Sequence, residues 1–266
     1  THTNKVNAKV WDAITSEVIA VDRPPAFPKP RNLFCSGHCF LPDGRLLVVG
    51  GNDWYWGPHY DVHTFDPETL SWSVHKSMRK GRYYPTCTTL PDGTAFIASG
   101  AKFRFLFGII LINTSYEIFD PQKNRLTYKA RFASGRFLSM YPFVHVLPSG
   151  DLFVHSRNQS RLFDLRNRKW RPDIYQTESL NTRTYPGQGA CVLLPLLPDQ
   201  PDGVRLLVVG GGDETKTNID ENVQATNTAE FFTYNPDSAP TLPPTGWRAT
   251  TPMFNRRFMP DAVLLP

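Results

Sequence analysis

The fold is decided by the stretch Leu41–Gly51, which reads LPDGRLLVVGG. It contains the end of one strand, a Pro-Asp-Gly turn, a second strand of aliphatic residues and a Gly-Gly stop. Proline presets φ for such a turn, and glycine takes positive φ at little cost. The pattern therefore predicts a β-hairpin whose short, partly β-branched second strand is buried.

The same pattern recurs along the chain. Its prolines are Pro42, Pro91, Pro148 and Pro201, so the successive intervals are 49, 57 and 53 residues. A period near 50 residues with paired glycines is typical of kelch repeats, each of which forms one four-stranded blade of a β-propeller. A β-sandwich with regularly spaced turns is the alternative. The constant order of turn, glycine and aromatic signals favours the propeller.

We therefore predict an all-β, kelch-type β-propeller that forms a single domain over residues 1–266. Full blades are predicted at about 32–76, 82–129, 139–172 and 184–248, with partial blades at 1–22 and 255–266. Since ring closure removes exposed sheet edges, the partial blades have two interpretations. Either the chain is a piece of a larger, seven-bladed propeller, or its ends combine into one closing blade. The first is favoured because the sequence stops at an inner strand.

The bulk composition is that of an ordinary folded protein. The chain has 266 residues, 40% of them hydrophobic and 20% charged, which argues against disorder. The net charge of +5 comes from scattered residues, so nucleic-acid binding is not predicted. No apolar run approaches about 20 residues, so no membrane span is predicted. The chain lacks an initial Met and a signal-peptide core, which indicates a processed or truncated start.

Four cysteines are too few to form a disulfide scaffold in a chain of this length. Cys39 and Cys87 fall on neighbouring predicted inner strands. They could pair across two blades or remain as buried thiols, and the sequence leaves both outcomes open. Cys191 is expected to be a buried free thiol.

Two predicted inner strands begin with residues that suit a reactive site. Phe34-Cys35 precedes the first, and Arg82-Tyr83-Tyr84 begins the next. Inner strands line the central channel of a propeller. A cysteine and a tyrosine at the same depth of adjacent inner strands are therefore expected to touch.

These motifs resemble those of the copper radical oxidases, the family of galactose oxidase and glyoxal oxidase. The stretch Tyr141–Pro148 is similar to the glyoxal oxidase branch. The resemblance implies that Cys35 and Tyr84 are joined by a thioether, and that Tyr84 binds copper and holds a protein radical. It also implies oxidation of a small alcohol, aldehyde or carbohydrate with reduction of O₂ to H₂O₂, in an extracellular or secreted protein.

The resemblance further implies an aromatic side chain stacked on the thioether, for which Phe103 is the nearest candidate. It also implies a later Tyr-His pair and one more histidine as copper ligands. This chain contains no Tyr-His dipeptide, and Phe258-Met259 lies at a comparable place in its last predicted inner strand. Either the ligands lie beyond this chain, which we favour, or Phe258-Met259 replaces them and the site is lost.

The alternative function is a non-catalytic kelch propeller that binds a protein or glycan partner through its loops. The aromatic loop Trp54-Tyr55-Trp56 and the apolar stretch 103–112 would then carry binding. The sequence contains no Walker loop, Rossmann fingerprint or Gly-x-Ser-x-Gly motif. Its histidines show no spacing typical of a zinc or copper site.

Overall fold

The computed structural model describes residues 8–22, 32–53, 57–104, 110–196, 203–212, 224–235 and 244–265. Within these ranges every regular element is a β-strand, as predicted. The chain divides into two compact units, Thr1–Gly135 and Arg136–Pro266. No helix in the described ranges is long and apolar enough to cross a membrane.

The first unit begins with a hairpin of β1 (Ala8–Trp11) and β2 (Val18–Val21). The first blade follows as an antiparallel sheet of order β3-β4-β7-β8. Its strands are β3 (Ser36–Phe40), β4 (Leu46–Gly50), β7 (Val62–Asp66) and β8 (Ser71–Val74), and the short pair β5 (Asn52–Asp53) and β6 (Gly57–Pro58) lies between β4 and β7 in the chain.

The second blade has five strands because one of them is longer than the sequence pattern suggests. These are β9 (Tyr83–Thr89), β10 (Ala95–Arg104), β11 (Ile110–Ile112), β12 (Tyr116–Asp120) and β13 (Arg125–Lys129). The first part of β10 pairs with β9 and β12, through residues 95–101 and 95–98 respectively. Its last part, residues 101–104, pairs with β11. The apolar stretch 103–112, which the sequence places among the loops, is thus partly strand, and residues 105–109 lie outside the described ranges.

The second unit contains two further antiparallel blades. The third consists of β14 (Phe143–Val146), β15 (Leu152–Ser156), β16 (Gln159–Asp164), β17 (Lys169–Trp170) and β18 (Tyr175–Gln176). The fourth consists of β19 (Gly189–Leu193), β20 (Val204–Gly210), β21 (Ala229–Tyr234) and β22 (Gly246–Thr250). These antiparallel sheets are the blades of a β-propeller. That all of them form one domain remains a prediction.

Three of the four predicted hairpin turns lie within the described ranges, and all three form; Pro201 and Asp202 of the fourth lie outside those ranges. In the first blade, Leu41 N donates to Arg45 O at 2.8 Å and Gly44 N donates to Leu41 O at 3.0 Å. The same two hydrogen bonds close the turns that begin at Leu90 and Leu147. The turn glycines have φ between 81° and 84°, a conformation that disfavours any residue with a Cβ. The repeated sequence thus corresponds to a repeated backbone geometry.

Each unit has an apolar core between its two blades. In the first unit the core includes Leu47, Val49, Cys87, Ile97 and Phe119. In the second it includes a comparable set contributed by strands of both blades: Leu147, Phe153, Leu206, Val208, Phe232 and Trp247. These cores fix the distance between neighbouring inner strands.

The second unit also buries a histidine, which makes its stability depend on pH. His155 is 0% exposed, and its Nδ1 lies 2.7 Å from Ser160 Oγ. Burial lowers the pKa of His155 to about 3, with the Arg183 charge acting in the same direction. Burial also lowers the pKa of His145, on the adjacent strand, to about 4.

Acidification is therefore expected to destabilise the protein through His155. An unfolded histidine has a pKa near 6.5, so below that pH the unfolded state binds a proton that the folded state does not. From pH 7 to pH 5 the free energy of unfolding should fall by about 2 kcal/mol through this residue alone. Urea unfolding of the intact protein at both pH values measures the change. His155→Gln should reduce it and His38→Gln, at an exposed position, should not; equal pH dependence in all three proteins would contradict the assignment.

Candidate functional site

Cys35 and Tyr84 lie next to each other, as the sequence predicts. Cys35 directly precedes β3, and Tyr84 is the second residue of β9. The Tyr84 N–H donates to Cys35 O at 2.7 Å, and the two side chains are hydrogen-bonded to each other. A thiol and a phenol from two neighbouring blades thus meet at one end of their inner strands.

Glycines in β3 and β4 allow the first blade to approach the start of β9 closely enough for this contact. A Cβ on Gly37 would lie 2.5 Å from Pro85 O, and a Cβ on Gly50 would lie closer still to Arg82 O. In addition, the Gly51 N–H donates to Arg82 O at 2.9 Å. The backbones are therefore in direct contact on both sides of the Cys35–Tyr84 pair.

Gly50→Ala should consequently destabilise the protein by about 2–3 kcal/mol. The native φ of +70° costs a residue with a Cβ about 1 kcal/mol, and overlap with a fixed carbonyl adds about 1–2 kcal/mol. Gly44→Ala is the matched control, because Gly44 has a φ of +84° and a methyl group added there would have nothing within 4 Å. Chemical denaturation measures both variants. Equal losses for the two would show that the close approach at Gly50 is unimportant.

The pair is partly accessible and its thiol is protonated. Burial raises the pKa of Cys35 to about 11, although the hydrogen bond from Tyr84 opposes the shift. Both side chains are half-buried. The ring of Tyr83 lies 5.3 Å from the ring of Tyr84, centroid to centroid, and helps to fix its orientation. The arrangement can therefore present a phenol oxygen to a small molecule or an ion while a sulfur touches the same side chain.

The backbone at both residues is unusual. Cys35 has a φ of 63° and Tyr84 a φ of 59°, values that are rare for bulky residues. The same conformation recurs at Tyr141, with a φ of 47°, and at Met259, with a φ of 51°. The conformation therefore recurs at corresponding positions of the sequence repeat, and any chemistry depends on which side chain occupies the position.

The end of the chain repeats this geometry without an oxygen donor. Met259 N donates to Gln188 O at 2.8 Å, and Gly211 N donates to Arg257 O at 3.0 Å. Arg257–Pro260 thus repeats the backbone contacts of Arg82–Pro85. Met259 lies beyond β22, the last described strand, and occupies relative to the fourth blade the position that Tyr84 occupies relative to the first. Its thioether sulfur is a soft ligand suited to Cu(I).

Sequence reasoning missed two buried ion pairs that anchor the starts of inner strands. Arg82 and Arg183 are both 0% exposed. Arg82 contacts Glu117 at 3.3 Å, and Arg183 contacts Glu230 at 2.5 Å. Each glutamate is the second residue of its strand, Glu117 in β12 and Glu230 in β21. A charged residue at an otherwise apolar strand position was the signal that could have found them.

The other predicted site residues cannot be assigned contacts. Trp54, Tyr55 and Trp56 lie outside the described ranges. The backbone of Phe103 lies in β10, opposite Leu111, but its side chain is not among those described. Stacking of Phe103 on the Cys35–Tyr84 pair therefore stays a prediction.

The described residues would supply only part of the copper site that the family resemblance implies. They contain no group of three or more His, Cys, Asp or Glu side chains that could hold a metal ion. The Tyr84 phenol is one oxygen donor, and the adjacent Cys35 sulfur fits the implied cysteine–tyrosine cofactor. A complete set of copper ligands requires further residues.

Comparison with known proteins identifies relatives over most of the chain. The family described as "Glyoxal oxidase N-terminus" matches residues 26–266. The aldehyde oxidase GLOX of Vitis pseudoreticulata is 29% identical over 188 residues, covering 67% of this chain and 33% of that protein. The aldehyde oxidase GLOX1 of Arabidopsis thaliana is 26% identical over 244 residues, covering 88% of this chain and 37% of that protein. The chain thus spans about a third of the length of these relatives.

Solved structures show the same fold. A fungal alcohol oxidase in complex with copper superimposes with a TM-score of 0.62 at 16% identity, covering 95% of this chain and 48% of that chain. The protein YjhT superimposes with a TM-score of 0.61 at 16% identity, covering 92% of this chain and 77% of that chain. At this identity the similarity concerns the propeller fold alone.

Proposed function

The chain belongs to the glyoxal oxidase family, and from this premise we propose that it carries the cysteine–tyrosine part of a copper radical oxidase. The enzyme would oxidise primary alcohols or aldehydes and reduce O₂ to H₂O₂. The observation that carries the proposal is the contact between Cys35 and Tyr84, whose side chains are hydrogen-bonded at the start of neighbouring inner strands.

The proposed cofactor is a thioether between the Cys35 sulfur and a ring carbon of Tyr84. Its formation removes the thiol hydrogen and one ring hydrogen, together two protons and two electrons. With O₂ as the acceptor the balance is closed by one H₂O₂. Sulfur substitution makes the phenol easier to oxidise, which suits a side chain that holds a radical.

The residues of this chain have distinct proposed roles. Tyr84 provides an oxygen ligand for copper, and Cys35 tunes its ring and restricts its orientation. Copper, when bound, supplies a one-electron acceptor that complements the tyrosyl radical. Gly37 in β3 and Gly50 in β4 position the pair, because they permit the first blade to approach the segment Arg82–Pro85 closely. The remaining ligands, a Tyr-His pair and a further histidine, would come from residues outside this chain.

Aldehydes are the favoured substrate class, because both plant relatives named above are aldehyde oxidases. Alcohols follow from the redox chemistry, in which a primary alcohol and an aldehyde are successive substrates. We propose an extracellular or secreted location, which suits an enzyme that releases H₂O₂. Fractionation of the intact protein would test this location.

The deciding experiment combines three measurements on the intact, copper-loaded protein. One preparation is analysed for its copper content and for H₂O₂ release with a panel of aldehydes and primary alcohols. The masses of its Cys35 and Tyr84 peptides are measured after reduction. We expect bound copper, turnover and a link that has lost two hydrogens and resists reduction. Unlinked peptides without copper or turnover would overturn the proposal. Binding of a glycan or protein partner by such a preparation would instead support the non-catalytic alternative.

A further inference from the structure

A second pair of reactive side chains lies along the same two strands. Cys39 is in β3 and Cys87 is in β9. Their Sγ atoms are 3.1 Å apart, closer than two sulfur atoms in ordinary van der Waals contact. Cys39 lies four residues beyond Cys35, and Cys87 lies three residues beyond Tyr84. The two pairs are therefore separate positions on the same boundary between blades.

The surroundings favour a fixed contact between these two sulfurs. Cys39 lies opposite Leu47 in the strand pairing, and Cys87 lies opposite Ile97. Both partners are buried in the core of the first unit, and Cys87 belongs to that core, with Cys39 packed against it. An apolar core between neighbouring strands leaves the thiols no other partner of comparable reactivity among the described residues.

We propose that Cys39 and Cys87 form a disulfide that links the first and second blades. The bond requires the sulfur atoms to approach by about 1 Å, to a separation near 2.05 Å. Rotation of two side chains on strands that already touch can supply this movement. The link would be a modification site in addition to the proposed Cys35–Tyr84 thioether.

The two thiols have different reactivities that suit stepwise oxidation by a peroxide. The hydrogen bond from Cys87 lowers the pKa of Cys39, while the pKa of Cys87 is raised. Cys39 is also half-buried, so a small oxidant can reach it, whereas Cys87 is buried. Hydrogen peroxide converts the Cys39 thiolate to a sulfenic acid, and attack by the Cys87 sulfur releases water and forms the disulfide. Overall, two thiols and one H₂O₂ give one disulfide and two water molecules.

The disulfide closes a long loop, so its effect on stability is large. It joins residues 39 and 87, and cross-links across loops of this length restrict the unfolded chain strongly. The Tm of the oxidised protein is expected to exceed that of the reduced protein by about 5–10 °C. The rise is expected to be absent from Cys39→Ser.

Peptide mapping can separate this link from the proposed thioether. Cleavage after Arg and Lys places Cys35 and Cys39 in the peptide 32–45, and Tyr84 and Cys87 in the peptide 83–102. A thioether and the disulfide therefore join the same two peptides, each with loss of two hydrogens. Only the disulfide is released by a reductant. A bond that the reductant breaks tests the proposed disulfide. A bond that survives reduction tests the thioether, on which the proposed function rests.

The test uses the intact protein, treated with dilute H₂O₂, alkylated in denaturant and digested with and without reductant. We expect a reducible link between 32–45 and 83–102 that disappears in Cys39→Ser and in Cys87→Ser. Cys191→Ser is the matched control and should leave the link in place. The proposal would be overturned by alkylated thiols at both positions. A sulfinic acid at Cys39 or a reducible link through Cys35 would also overturn it. Mapping of the unsubstituted protein decides the matter even if a variant does not fold.

Discussion

Tyr84→Phe is expected to abolish oxidase activity in the intact, copper-loaded protein. The substitution removes the phenol oxygen that we propose as a copper ligand and as the carrier of the radical. We expect turnover to fall by at least about 10³-fold, equivalent to about 4 kcal/mol of transition-state stabilisation. The copper content should fall as well, and the peptides 32–45 and 83–102 should no longer be joined after reduction. H₂O₂ release, metal analysis and mass spectrometry measure the three effects.

Two further variants separate chemistry from folding. Cys35→Ser keeps the phenol and a small polar side chain but cannot form the thioether, so activity should fall while part of the copper remains. Tyr128→Phe removes a hydroxyl from β13 of the same blade, where the ring contacts Arg79, and should leave activity unchanged. Tyr84→Phe with full activity, or the same loss in Tyr128→Phe, would contradict the proposed role.

Arg82→Met is expected to lower the free energy of unfolding by about 3–5 kcal/mol. The guanidinium is fully buried. It donates to Ser99 O at 2.8 Å and to Ser115 O at 3.1 Å, and it lies 3.3 Å from Glu117. Its removal leaves the Glu117 carboxylate buried without its counter-charge and two carbonyls without this donor. Chemical denaturation of the intact protein measures the loss.

The double variant Arg82→Met with Glu117→Gln tests the physical reason. Glutamine removes the uncompensated charge but keeps an oxygen that can accept from Arg79 N, which lies 2.9 Å from the second carboxylate oxygen. The double variant should therefore be more stable than Arg82→Met alone by about 1–2 kcal/mol. If the two proteins are equally unstable, lost packing and not the unpaired charge explains the effect.

The hairpins could be predicted from the sequence because they are local. Leu41–Gly44 contains the proline, the acidic residue and the glycine that favour a tight turn, and the short, β-branched apolar run that follows favours a buried strand. The meeting of Cys35 and Tyr84 was also predictable, since equal positions in successive repeats fall at equal depth. The repeat therefore predicted the fold and the contact between Cys35 and Tyr84.

Other features required the packing of strands that are distant in the chain. Neither the 3.1 Å contact of Cys39 with Cys87 nor the pairing of Arg82 with Glu117 follows from residue spacing. The extension of β10 also depends on pairing that spacing does not predict, because its last residues pair with β11. Such contacts depend on how closely the backbones of distant strands approach, which residue spacing does not set.

The sequence by itself determined a repeated antiparallel blade and the identity of the side chains at the start of each inner strand, because turns and strand alternation arise from neighbouring residues. Only the tertiary structure decided which of those side chains touch. At Gly37 in β3 and Gly50 in β4 the missing Cβ atoms let the first blade come into backbone contact with the start of β9. That approach brings the Cys35 thiol to the Tyr84 phenol and Cys39 to Cys87, because side-chain contacts between blades depend on how closely the strands pack.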